Sequence, residues 1–182
     1  MNPAIMTTDS FTTTNINKNI INTNKLDDQW TLWAHLPQNT DWSMASYIKI
    51  NDFVCLEDAI VTMKQIPNSL IECCMLFLMK KHILPRYEDP CNINGGEFSY
   101  KVLSKHIAKC WTDLTYCCIG NTISLDEEFV RKTNGITISP KKNFSIIKIW
   151  MSDCSKQNPQ SVIQIPNLNN FGSFFKKHPP GS

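Results

Sequence analysis

The sequence has almost no charge excess. Its 182 residues carry 18 basic and 16 acidic side chains, a formal net charge of +2. So even a balance cannot coat nucleic acid through bulk electrostatics, so any such contact has to be local and pocket-like. No stretch approaches 18 apolar residues, which argues against a membrane-spanning helix, and residues 1–25 lack the apolar core of a secretory signal. Glycine is scarce, at six residues, and forms no loop suited to a nucleotide phosphate or methyl donor; the four histidines are scattered and sit in no nucleophile–base arrangement. No catalytic residue, metal or cofactor is therefore expected, and the chain reads as a non-enzyme. Cysteine is plentiful, at positions 55, 73, 74, 91, 110, 117, 118 and 154, yet there is no CxxC pair and no Cys/His quartet at zinc spacing. These residues read as buried thiols of a reducing compartment, and a cytoplasmic location is expected.

What is present fits one domain with a sizeable core. Residues 1–25, rich in Thr and Asn and without a sustained period, are expected to form a disordered arm. The folded domain is expected over 26–175, with a flexible tail over 176–182. QWTLWAHL alternates, Trp30, Leu32 and Ala34 on one face and Thr31, Trp33 and His35 on the other, as a strand does. Trp30, Trp33 and Trp111 are assigned to the core. SYIKI reads as a second strand. In CLEDAIVTMKQI the period becomes helical, with Leu56, Ala59, Ile60 and Met63 on one stripe and two acids in the first turn. CCMLFLM and EFSYKVL read as strands. SKHIAKCWTDLTYCCIG reads as a helix capped by Ser104 and stopped by Gly120, its stripe being Ile107, Trp111, Leu114 and Cys118. GITIS and FSIIKIW are two more strands around a turn at 140–143. VIQI and GSFF stay open between short strands and part of a third helix. The order implies an α+β fold: a curved antiparallel sheet with two to three helices on its convex face and an open concave face suited to a ligand.

Trp42 and Tyr87 fall outside the periodic segments. Trp42 lies in the turn-rich PQNTDWS, and Tyr87 follows Pro85 in LPRYEDPCNINGGEFSY. Rings on two loops can face each other across a slot and stack on a flat ligand, more strongly on a cationic one. Glu88, beside Tyr87, offers only acceptors, which suits the N1–H and N2–H₂ donors of a guanine edge. The competing reading is a solvated turn.

In order and spacing, these segments resemble the mRNA cap-binding translation initiation factor 4E family, from about Leu26 to Asp153. QWTLWAHL resembles that family's first strand, NTDWS its first cap loop and LEDAI its first dorsal helix. ILPRYEDPCNINGGEFSY resembles its second cap loop, CWTDLTYCCIG its second helix and IIKIW the strand ending in a third tryptophan. The resemblance implies that Trp42 and Tyr87 sandwich 7-methylguanine, that Glu88 bonds its N1 and N2 edge, that the backbone N–H of Tyr87 meets O6 and that Trp150 packs on the N7-methyl group. Methylation makes the base cationic, which both rings and the Glu88 anion favour.

The chain departs from the family at informative places. Tyr87 stands where the family has tryptophan, Glu97 where it has an arginine after Gly-Gly, and Ile146 where it has a lysine. Strand alternation places Lys148 on the same face as Trp150. Lys141, Lys142 and Lys148 are therefore expected to meet the cap phosphates. The resemblance implies a dorsal surface at Leu56, Ile60 and Asp113 for a 4G-like scaffold protein. Ile60 and Thr112 replace a tryptophan and a leucine there, and Asn24-Lys25 replace a His-Pro pair, so an altered partner motif is expected. Lys176, Lys177 and His178 are candidates for RNA contact, with a frayed basic tail as the preferred reading. The implied function is cap-dependent translation initiation. The alternatives are a cap-binding repressor that recruits no standard scaffold, and a 4E-like interaction module that has lost cap binding.

Overall fold

A computed structural model describes residues 23–168 and 172–179. Most of the expected arm, residues 1–22, lies outside the described residues, as do 180–182 of the expected tail. The strands are β1 (Lys25–His35), β2 (Tyr47–Cys55), β3 (Met75–Lys80), β4 (Gly96–Leu103), β5 (Thr133–Pro140), β6 (Phe144–Met151) and β7 (Phe174–Lys177). They form one antiparallel sheet in the order β2-β1-β3-β5-β6-β4-β7. Register shifts in the β1–β2 and β5–β6 ladders add bends of the kind that curve a sheet.

The period-2 pattern sorts side chains between the two faces. On the convex face one row crosses six strands in register: Leu32, Leu78, Ile136, Ile149, Phe98 and Phe175. The first five are fully buried, each contributing roughly 1.5–3 kcal/mol of apolar burial. The helices α1 (Leu56–Gln65), α2 (Asn68–Cys73), α3 (Ile107–Ile119) and α4 (Glu127–Lys132) supply the covering side chains. Ala59 and Met63 of α1, Ile71 of α2, Ile107, Trp111, Leu114 and Cys118 of α3 and Phe129 of α4 all join this core. Trp30 and Trp111 are buried in it as the sequence implies. Trp33 is on the other face, in a smaller cluster with Phe77, Met79, Ile83 and Trp150.

Gly135 lets β5 lie close against β3. A Cβ there would lie 2.4 Å from both the Leu78 carbonyl oxygen and the Met79 sulfur, so only glycine lets β5 pass this close to β3.

Several local expectations need correction. Ser104 makes no side-chain cap; residues 104–106 form a 3₁₀ turn that leads into α3. The strand read from Cys73 begins at Met75, because Pro67 starts a short helix that runs through Cys73. Of VIQI, Val162 makes one isolated bridge to Ser124. Lys176 and Lys177 do not fray: they pair with Glu97 and Gly96 in β7, and His178 behind them is buried. All eight cysteines are free, but only Cys55, Cys74, Cys110 and Cys118 are buried. Among the described residues no helix is long and apolar enough to cross a membrane.

Candidate functional site

The concave face holds a cleft of about 340 Å³, lined by Trp42, Tyr47, Met75, Phe77, Pro85, Arg86, Tyr87, Glu88, Thr137, Lys148 and Trp150. Two loops and the sheet build it.

The first loop follows β1. Asp41 organises it: its carboxylate accepts the Ser43 N–H at 2.8 Å and the Ser43 hydroxyl at 2.9 Å, and these bonds hold its pKa below the ordinary value. Its carbonyl lies 2.8 Å from Nε2 of buried His35. This turn lays Trp42 flat on the His35 ring, with centroids 4.1 Å apart and planes within 2°. The indole is still 54% exposed, unusual for so large an apolar group, and its free surface fronts the cleft. Alternation puts His35 on the face of Thr31 and Trp33, but nothing local in the sequence marks it as the support for Trp42.

The second loop joins β3 to β4 and carries Tyr87-Glu88-Asp89. The two acids separate. Asp89 is buried and structural: its carboxylate accepts the N–H groups of Leu84 and Cys91, each at 2.9 Å. Buried Asn92 donates to the carbonyls of Leu84 and Arg86, and Asn134 of β5 donates to Asn92 Oδ1 and the Cys91 carbonyl. The loop is therefore tied across its own span and to the sheet. Glu88 is exposed on the cleft wall, with no hydrogen-bond or ion-pair partner among the described residues. Its charge is felt by Tyr47, whose hydroxyl pKa is pushed up to about 12, first by burial and then by Glu88 and Tyr87.

Tyr87 stacks on Trp150, with centroids 4.7 Å apart and planes 14° from parallel. Trp150 is 2% exposed, so the indole expected to pack on a ligand methyl group chiefly backs the tyrosine. The Tyr87 hydroxyl donates to Glu97 at 3.1 Å and accepts from Lys148 at 2.9 Å, while Lys148 and Glu97 form a 2.6 Å ion pair. Lys148 thus reaches the cleft as expected, with its charge already balanced. Lys141 and Lys142 occupy the exposed β5–β6 turn and do not line the cleft. Trp150 lies six residues along the strand from Phe144, roughly 20 Å away. Arg86, absent from the sequence reading, is an exposed cation on the cleft wall with no ion pair among the described residues.

A family profile described as Eukaryotic initiation factor 4E matches residues 25–171. The chain belongs to that family. Initiation factor 4E of Eremothecium gossypii is 28% identical over 161 residues, 83% of this chain and 69% of the relative. Initiation factor 4E-2 of Schizosaccharomyces pombe is 26% identical over 149 residues, 76% of this chain and 58% of that one. Among solved structures, Ascaris suum 4E-3 with an m7G cap superposes with a TM-score of 0.63 at 21% identity, covering 74% of this chain and 76% of that one. Caenorhabditis elegans 4E-3 with the 4E-binding protein Mextli gives a TM-score of 0.65 at 18% identity, covering 73% and 78%.

On the convex side of this 4E-family chain, Leu56 and Ile60 are half-buried on α1, beside Val61, which is 53% exposed. Asp113 on α3 is held by Lys109 one turn earlier, at 2.9 Å. Thr112 Oγ1 turns back to the Ala108 carbonyl.

His178 closes the cleft from behind. Its ring lies 4.9 Å from those of both Tyr87 and Trp150, and its Nδ1 sits 2.6 Å from the Asn92 carbonyl, which makes Nδ1 the protonated nitrogen. Nε2 is buried without a partner among the described residues. Burial lowers its pKa from the ordinary 6.5, against the raising effects of the Asn92 carbonyl and Glu97, with Lys148 lowering it further. Below 6.5 the unfolded chain takes up a proton that the folded chain refuses, so this group makes stability fall as pH drops from 6.5 toward its folded value. Urea midpoints measured between about pH 7.5 and 5.5 should therefore fall more steeply for the wild type than for His178→Gln.

Proposed function

We propose that this chain binds the 7-methylguanosine cap of mRNA in the concave cleft and serves cap-dependent translation initiation. The observation that carries the reading is Glu88. It is a carboxylate without a partner among the described residues, on the wall of a cleft otherwise lined mainly by aromatic and apolar side chains, on the same loop as Tyr87 and sharing the cleft with Trp42. A methylated guanine entering between the two rings gains charge–quadrupole attraction on its faces, and its two edge donors meet a group that only accepts. The family supports the same reading, as does the likeness to a 4E structure determined with an m7G cap. Trp150 is assigned to support Tyr87 from behind and to border the N7-methyl end. Phosphates leaving the base meet Arg86 first. Lys141 and Lys142 serve only a ligand that extends past the cleft. Retention on a cap-analogue resin tests this: elution by 7-methyl-GTP and not by GTP is expected, and equal elution by both contradicts it.

The half-buried Leu56 and Ile60, with exposed Val61, are assigned to an apolar stripe of a scaffold or 4E-binding protein; the nematode relative was solved in complex with a 4E-binding protein. Because Asp113 is engaged by Lys109, a partner has to displace that lysine to use the acid. Whether the captured partner also brings the small ribosomal subunit separates an initiation factor from a repressor.

A further inference from the structure

We propose that Glu97 and Lys148 are positioning residues that lock the Tyr87 ring through its hydroxyl, so that the tyrosine is a fixed platform for the base. The proposal rests on the cap reading above and deepens it.

The three groups come from separate parts of the fold. Tyr87 is on the β3–β4 loop, Glu97 near the start of β4 and Lys148 on β6. In register, Glu97 faces Trp150 and Ser99 faces Lys148, so Glu97 and Lys148 are diagonal neighbours on the concave face. Each member bonds the other two, at 3.1, 2.9 and 2.6 Å. The Glu97 side chain is only 7% exposed and that of Lys148 22%, so a missing partner is poorly replaced by water. The Lys148 ammonium also lies 5.6 Å over the Tyr87 ring. Burial raises the Tyr87 pKa, and Glu97 holds that of Lys148 up against burial, so the hydroxyl stays a donor and the ammonium stays charged.

Of the three large aromatic side chains, only tyrosine both donates to Glu97 and accepts from Lys148. Phenylalanine has no hydroxyl, and an indole N–H donates but does not accept from Lys148. Tyr87 is therefore matched to Glu97 and Lys148 as a set. With the ring held by Trp150 behind it and two hydrogen bonds at its tip, little ordering is left for the ligand to impose. The ion pair also leaves Lys148 without a free charge for phosphate.

The test is fluorescence titration of wild type, Tyr87→Phe, Glu97→Gln, the double variant and Lys148→Met with 7-methyl-GMP and 7-methyl-GTP, alongside melting temperatures. Tyr87→Phe is expected to weaken both ligands about tenfold; Glu97→Gln is expected to weaken 7-methyl-GMP about tenfold and 7-methyl-GTP less, because it frees the Lys148 charge, with the double variant no worse than either single one for 7-methyl-GMP. Lys148→Met is expected to weaken the two ligands by the same factor. The proposal is overturned if Tyr87→Phe binds like wild type, if the two single effects multiply in the double variant, or if Lys148→Met weakens the triphosphate alone, which marks a phosphate contact. Should Glu97→Gln unfold, Tyr87→Phe and Lys148→Met still decide. Wild type that binds neither ligand overturns the cap reading itself, and this proposal with it.

Discussion

Glu88→Gln is expected to lower affinity for a 7-methylguanosine cap roughly 30- to 150-fold, about 2–3 kcal/mol. The substitution keeps the size and one acceptor of the side chain. It replaces the second acceptor by an N–H₂ group, which would point at a ligand donor, and it removes the anion from beside a cationic base. Because Glu88 is exposed and has no partner among the described residues, the fold loses nothing and the melting temperature should not move. Its neighbour offers the contrast. Asp89 is buried and holds the N–H groups of Leu84 and Cys91, so Asp89→Asn should shift the melting temperature as well as binding. An unchanged cap affinity in Glu88→Gln would remove the base-edge contact from the mechanism.

Trp42→Ala is expected to cost about 1–3 kcal/mol of cap binding, roughly 5- to 150-fold, with the upper part of the range for a methylated base. Trp42 rests on His35 with its other surface open to the cleft, so its removal leaves the core intact. Trp42→Phe retains a ring over His35 and should fall between wild type and alanine. Titration with 7-methyl-GTP and GTP checks both points. The alanine variant should lose most of the preference for the methylated ligand, since unmethylated guanine gains little from the ring quadrupole. A preference that survives the loss of Trp42 would place the discrimination elsewhere in the cleft.

The sheet and the two long helices were legible because their patterns are strong. In QWTLWAHL alternation separated Trp30, Leu32 and Ala34 from Thr31, Trp33 and His35, and the structure places the two sets on opposite faces. In α3 the stripe Ile107, Trp111, Leu114 and Cys118 is buried as its spacing implies. α4 is six residues long, too short to show a period. Its signals were nevertheless present: Asp126 accepts the N–H groups of Glu128 and Phe129, two acids follow it, and two bases end the helix. β7 is only partly legible: GSFF stays open in the sequence between a short strand and a helix, and the strand that forms runs over Phe174–Lys177. It exists because Gly96 lets the Phe175 ring approach β4, where an added Cβ would lie 2.4 Å from that ring.

At the candidate site, composition and loop position singled out Trp42, Tyr87 and Glu88, and the structure brings all three to one cleft. What the sequence could not show was pairing between distant segments. Alternation put Lys148 on the right face, but only the register of β4 against β6 reveals that Glu97 neutralises it. In the same way Trp150 was read as a ligand contact, and its place behind Tyr87 depends on how the β3–β4 loop folds back over β6. His178, read as part of a frayed tail, is held by a carbonyl 86 residues away in the chain.

The most direct measurement is tryptophan fluorescence of the wild-type chain titrated with 7-methyl-GTP and, separately, with GTP. Saturable quenching by the methylated nucleotide, with binding at least tenfold weaker for GTP, is the expected result for a base held between Trp42 and Tyr87. Equal quenching by both nucleotides, or none by either, would contradict cap recognition in this cleft.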